Sequence, residues 1–140
     1  MSDPSATSGL PAPGVSIVVP VRNEQDNVAP LIAEIASALD GRWPYEIIYV
    51  NDGSTDATGE RLAAEMQKRG NLRQIRHAAS SGQSAAVRTG VRAARGKIVA
   101  TLDGDGQNNP AFLVNLIEAI EKGGDKVGLA AGQRIGRKDT

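Results

Sequence analysis

The chain contains no cysteine and a single histidine, His77. Without cysteine there is no disulfide, no thiolate metal site and no cysteine nucleophile. One histidine cannot build a zinc site alone, and nothing around His77 suggests a Ser–His pairing. Neither sign of charge prevails: sixteen Lys and Arg against sixteen Asp and Glu give a formal net charge of zero. The electrostatic footprint of a nucleic-acid binder is therefore missing. No apolar run approaches the ~18–20 residues needed to cross a bilayer. Residues 1–14, rich in Ser, Pro, Ala and Gly, lack both a basic start and an apolar core, and read as a flexible tail rather than a signal peptide. The expectation is a soluble, cytoplasmic chain.

Several ligand-binding signatures are missing too. A calcium loop starting at Asp103 needs Gly at its sixth position and Glu at its twelfth, where Asn108 and Val114 stand. Gly90 and Gly96-Lys97 are one residue too far apart for a P-loop, and Ile98 replaces its Ser/Thr. No strand-linked G-x-G-x-x-G occurs.

What is present fits one domain. The 140 residues are 40% apolar, enough for one real core. Val15–Val21 is a continuous apolar run, as in a strand covered on both faces. Val28, Leu31, Ile32, Ile35 and Leu39 repeat at helical spacing, closed by Gly41 and Pro44. Glu46–Val50 reads as a second strand, emptying into the turn cluster Asn51–Asp56. A helix then runs to about Arg69. Leu72–Arg76 reads as a short edge strand, and Gln83–Arg95 as a helix with Val87, Val91 and Ala94 inward and Gly96 as its cap. Ile98–Leu102 is a fourth strand. Asn109 caps, and Pro110 begins, a helix with the stripe Leu113, Leu116, Ile117 and Ile120, ended by Gly123-Gly124. Lys126–Ala131 suits a fifth strand. This alternation predicts an α/β fold with a mostly parallel sheet, which binds ligands at the C-terminal strand ends. Arg22-Asn23-Glu24, Asn51–Asp56 and Asp103–Gln107 all fall there, so three polar clusters converge on one rim.

The run Asp103-Gly104-Asp105-Gly106-Gln107-Asn108-Asn109-Pro110 carries the most chemistry. Two carboxylates at the end of a buried strand call for something positive, and hard Mg²⁺ or Mn²⁺ takes carboxylate, amide and water oxygens. Such a metal bridges to substrate phosphates. The same Asp-Gly pairs also suit a plain turn. Asp52 and Asp56 suit helix capping, Asp56 more than Asp52, and Glu24 suits a loop pair with Arg22. Arg88, Arg92 and Arg95 share a helix face of the kind usually solvated. His77 reads as an ordinary strand-end histidine, and Trp43 and Tyr49 as packing residues.

With these clusters the chain resembles a family 2 glycosyltransferase of the GT-A fold, closest to the dolichol- and polyprenyl-phosphate sugar transferases. The matching text is Val18-Val19-Pro20-Val21-Arg22-Asn23-Glu24 with Asn27, VNDGSTD from Val50 to Asp56, Gly82–Ala86 through Gly90, Ala94 and Gly96, and DGDGQNNP from Asp103 to Pro110. The resemblance implies a Rossmann-like three-layer α/β/α sandwich. Pro20, Val21, Asn23 and Glu24 would border the nucleotide, and Asp52 would bond the base edge. The Gly82–Ala86 helix start would lie beside the nucleotide. Asp103 and Gly104 would lie near the ribose. Asp105 with Gln107 and Asp103 would hold Mg²⁺ or Mn²⁺ on the donor diphosphate, Asp105 and Asp103 being catalytic. Arg134, in Gly132-Gln133-Arg134, would face phosphates.

The implied activity is metal-dependent transfer of a sugar, with inversion, from GDP-mannose or a UDP-sugar to polyprenyl or dolichyl phosphate. A phosphate acceptor is already an anion and needs no strong base, which fits the lack of a well-placed carboxylate after Asp105. The chain stops at Thr140, where the acceptor-binding half of family members begins, so residues 15–140 are expected to be the nucleotide-sugar-binding half. A lipid-phosphate acceptor would bring the chain to the inner face of the membrane, and the sheet edge near Lys126–Ala131 suits pairing in a homo-oligomer. A non-catalytic nucleotide-binding fragment and a nucleotidyltransferase stay open as alternatives, although the latter's Gly-rich basic signature is missing from Val15–Glu24.

Overall fold

The computed structural model describes residues 13–104 and 110–123, and the backbone of residues 129–131. Among the described residues five parallel strands form one sheet: β1 (Val15–Val21), β2 (Tyr45–Asp52), β3 (Leu72–His77), β4 (Ile98–Thr101) and β5 (Leu129–Ala131). Their order is β3-β2-β1-β4-β5, so the chain reverses direction across the sheet on either side of β1. Four helices among the described residues alternate with them: α1 (Val28–Leu39), α2 (Thr58–Lys68), α3 (Gln83–Ala93) and α4 (Ala111–Lys122).

The period-two alternation of strand side chains sorts the core into two layers. Val15, Ile17, Val19 and Val21 of β1, with Ile47 and Tyr49 of β2, pack against Leu31, Ile32 and Ile35 of α1, Leu62 of α2, and Leu113 and Ile117 of α4. The intervening residues, Val18, Ile48 and Val50, pack with Val99 against Ala86 of α3, alongside Val91, Ala93 and Ala94. Helices thus cover both faces of the sheet, as the three-layer expectation requires, with α3 on one face and α1, α2 and α4 on the other.

Several local boundaries differ from the sequence reading. β2 extends through Asn51 and Asp52, which the sequence placed in a turn. Both are buried and stay in register with Arg76 and His77 because their polar side chains find partners: Asn51 Nδ2 donates to Gln74 at 2.9 Å. α3 turns Ala86 and Gly90 into the sheet rather than Val87. A Cβ at Gly90 would collide with Val18, so only the smallest side chains allow this helix to sit so close. Gly96 does not cap α3. The cap is Ala94, and the Gly96 amide donates to Ser16 Oγ at 2.9 Å. Pro110 occupies the cap position before α4 rather than its first turn, and Asn109 lies outside the described residues. Asp56 stands one residue before Ala57, the cap residue of α2, and its Oδ1 accepts the Thr58 amide at 2.9 Å. Tyr49 is wholly buried, and Trp43 packs on the core while its Nε1 donates to Glu121 at 3.0 Å.

Candidate nucleotide site

The C-terminal ends of β1, β2 and β4 and the start of α3 enclose a cavity of about 330 Å³. Pro20, Val21, Arg22 and Glu24 line it from β1 and the following loop, Asp52 from β2, and Asp103 and Gly104 from beyond β4. Ser80, Gly82, Gln83 and Ala86 close it from the α3 side. This is the switch point of the sheet, where open α/β proteins bind ligands, and its volume suits a small molecule.

Several lining residues are held by local devices. Glu24 accepts from Asn27 Nδ2 at 2.8 Å, and its amide donates to Thr58 Oγ1 at 2.9 Å; it does not pair with Arg22. Gly104 packs so tightly on Val21 and the Pro20 carbonyl that a Cβ would collide with Val21. Gln83 Nε2 donates to Asp103 Oδ1 at 3.1 Å, joining the start of α3 to the end of β4 across the pocket.

Asp52 is the most heavily engaged group. Its Oδ1 accepts from His77 Nδ1 at 2.7 Å and from the Ser81 amide at 2.8 Å. Its Oδ2 accepts from Ser80 Oγ at 3.0 Å and the Gly82 amide at 2.9 Å. Burial by itself would raise this carboxyl. The His77 bond, the two amides and the Ser80 hydroxyl outweigh it and hold the group well below the usual carboxylate range.

The predicted residues Pro20, Val21, Glu24, Asp52, Gly82, Asp103 and Gly104 thus meet in one cavity. Asn23 is not among the lining residues. It takes a left-handed backbone, φ 57°, and its Oδ1 accepts the amides of Thr55 at 2.7 Å and Asp56 at 3.3 Å. In that pose it stitches the β1–α1 loop to the β2–α2 loop. Asp105, Gln107 and Arg134 lie outside the described residues. Arg22 and Ser80 were not singled out for the site by the sequence reading. Arg22 enters the sequence reading as part of the Arg22-Asn23-Glu24 rim cluster and as a loop partner for Glu24, without a role of its own, and a serine in Ala79-Ser80-Ser81 carries no periodic or motif signal.

At the rim Asp103 offers hard oxygen. The Asp103 carboxylate, with Asp105 and Gln107 following it in sequence, matches what Mg²⁺ or Mn²⁺ prefers. Among the described residues, no group of three or more His, Cys, Asp or Glu side chains is placed to share an ion. No helix among them is long and apolar enough to cross a membrane.

Known proteins share this sequence pattern and fold. A family model described as glycosyl transferase family 2 matches residues 16–140. Dodecaprenyl-phosphate galacturonate synthase of Rhizobium johnstonii is 38% identical over 129 residues, covering 89% of this chain and 37% of that protein. Dolichol-phosphate mannosyltransferase of Pyrococcus furiosus is 38% identical over 120 residues, covering 86% of this chain and 33% of that protein. The chain therefore spans about a third of the length of the curated relatives it matches. Among solved structures, the mannosyltransferase PcManGT from Pyrobaculum calidifontis, in complex with GDP-Man and Mn²⁺, superposes with a TM-score of 0.61 at 26% identity, over 68% of this chain and 28% of that one. S. aureus TarS residues 1–349, in complex with UDP-GlcNAc, shares the fold at a TM-score of 0.66 and 23% identity, over 77% of this chain and 31% of that one.

Proposed function

The chain belongs to glycosyl transferase family 2, and on that premise we propose that residues 15–140 form the nucleotide-sugar-binding half of a GT-A enzyme that glycosylates a polyprenyl or dolichyl phosphate. One observation carries the reading. Three strand ends and the head of α3 converge on a single cavity whose rim holds Asp103 and whose wall is fastened by Asp52.

In this reading Pro20, Val21 and Glu24 border the nucleoside of GDP-mannose or a UDP-sugar, with Asp52 and Gly82 on the facing wall. Asp103, Asp105 and Gln107 would hold a divalent cation, and Arg134 would face phosphates. When bound, the cation supplies Lewis-acid stabilisation of the leaving diphosphate. The sugar's anomeric carbon loses its bond to the nucleoside diphosphate, which departs with the electron pair. An acceptor phosphate oxygen forms the new bond from the opposite face, giving inversion. The acceptor arrives as an anion, so the chain's own residues need to orient the two phosphates rather than remove a proton. The supporting relatives are named as polyprenyl-phosphate sugar transferases. A lipid acceptor would bring the chain to a membrane surface as a peripheral protein.

Calorimetric titration of GDP-mannose and UDP-sugars with Mn²⁺, Mg²⁺ or EDTA, alongside Asp105→Ala, tests the proposal. Binding that needs metal and is lost in Asp105→Ala supports it. A folded chain that binds no sugar nucleotide overturns it.

A further inference from the structure

We propose that His77 is a positioning residue for the nucleotide pocket, bridging Asp52 and Thr89 so that the Asp52 carboxylate fastens the Ser80–Gly82 wall. The inference rests on the nucleotide-binding reading above.

His77 ends β3 directly beside Asp52 in the parallel register, so both side chains point to the face that α3 covers. Its Nδ1 lies 2.7 Å from Asp52 Oδ1 and its Nε2 lies 2.9 Å from Thr89 Oγ1 on α3. Thr89 Oγ1 also lies 3.0 Å from the Ala85 carbonyl oxygen, so its one hydrogen serves either that oxygen or the ring. In the neutral ring Nδ1–H donates to Asp52 and Nε2 accepts the Thr89 hydroxyl. In the imidazolium both nitrogens donate, and Thr89 keeps its hydrogen on Ala85. Either way the ring is held at both ends and fixes which carboxylate oxygen faces which donor.

What the carboxylate then holds is the pocket wall. Residues 78–82 form neither helix nor strand, and every one of them is exposed. Gly82 stands at φ 98°, a backbone conformation open chiefly to glycine. The Ser81 and Gly82 amides are positioned by Asp52, and Gly82 leads directly to Gln83, which reaches Asp103 across the cavity. Desolvating a carboxylate is expensive, and here it secures an exposed loop rather than the core. A displacement of His77 therefore passes through Asp52 to Gly82, and from there to the residue that touches Asp103.

The test uses the 140-residue chain with UDP and GDP in Mn²⁺, followed by calorimetry, and amide ¹H–¹⁵N spectra of the nucleotide-free protein. His77→Ala is expected to weaken nucleotide binding about tenfold, the loss of a hydrogen bond to a charged group. The Ser81 and Gly82 amide resonances should move while those of β1 stay in place. His77→Asn, whose Nδ2 can stand in for the ring Nδ1, should recover most of the affinity, and Thr89→Val should fall between. Unchanged affinity and unchanged Ser81 and Gly82 amides in His77→Ala would overturn the proposal. So would equal losses in His77→Ala and His77→Asn that track thermal stability alone. If the unaltered chain binds neither nucleotide, the nucleotide reading falls, while the amide spectra still decide whether His77 positions the loop. Should His77→Ala fail to fold, His77→Asn and Thr89→Val carry the same comparison.

Discussion

Ser16 Oγ donates to Glu46 Oε2 at 2.6 Å, a bond between two buried side chains on neighbouring parallel strands. The same carboxylate oxygen accepts the Arg95 amide at 2.8 Å, and the other accepts Arg73 Nε at 3.2 Å and its terminal nitrogen at 2.8 Å. Arg73 also donates to the Ala93 carbonyl at the end of α3, at 2.8 Å. These groups tie α3 to β4 through β1, β2 and β3, at the end of the sheet remote from the pocket.

Glu46→Gln breaks this lock, leaving the Ser16 hydroxyl, the Arg95 amide and the Arg73 guanidinium without a charged acceptor. Urea denaturation should show a loss of roughly 2–3 kcal/mol, the scale of a hydrogen bond to a charged group. Nucleotide affinity under folding conditions should not change.

Acid stability follows from two depressed carboxyls. Burial would raise Glu46, but its bonds from Ser16, the Arg95 amide and Arg73 lower it, and Asp52 is lowered likewise. Carboxyls depressed in the folded state contribute stability above their unfolded value, about 4, and lose it as pH falls toward the folded one. Denaturation midpoints between pH 7 and pH 2 should drop below about pH 4. Asp52→Asn and Glu46→Gln should each start less stable at pH 7 and show a shallower decline.

Tyr49 is fully buried, and among the described residues its hydroxyl is one of the buried polar groups without a hydrogen-bond partner. Burial, reinforced by the nearby Glu65 carboxylate, pushes its ionisation far above the ordinary phenol range. Tyr49→Phe removes an unsatisfied polar atom with little change of shape, so thermal melting should show a gain of up to about 1 kcal/mol. A loss of stability would mean that the hydroxyl has a partner in solution.

Gly53 takes φ 72°, and a Cβ there would stand 2.5 Å from the Ser80 nitrogen and 3.0 Å from the Ala79 carbonyl carbon. Gly53→Ala should cost about 1–2 kcal/mol of stability from the left-handed backbone alone. It should also displace the pocket wall, so nucleotide affinity measured by calorimetry should fall further than the stability loss explains.

Gln83→Ala removes the donor that crosses the cavity to Asp103. Gln83 is exposed, so the melting temperature should hold while Mn²⁺-dependent nucleotide binding weakens about fivefold, one hydrogen bond's worth. Unchanged binding would show that Asp103 does not depend on this bridge.

Much of this molecule was readable from periodicity and punctuation. The apolar run Val15–Val21, the helical repeat from Val28 to Leu39 and the polar clusters after β1, β2 and β4 determined the element order and the end of the sheet that carries the cavity. Six of the seven predicted binding residues that meet there lie at or just after the ends of strands adjacent in a parallel sheet, which are neighbours, and Gly82 joins them from the start of α3. Tertiary structure decided what periodicity cannot encode. Ser16, Glu46 and Arg73 are far apart in sequence, and no pattern announces that they form one buried lock. Asp52 and His77 meet only because β2 and β3 continue in register to their last residues. Asn23 turned from the cavity into a neighbouring loop for the same reason: a polar side chain goes to the unsatisfied amides within its reach, and only the folded chain brings those amides near.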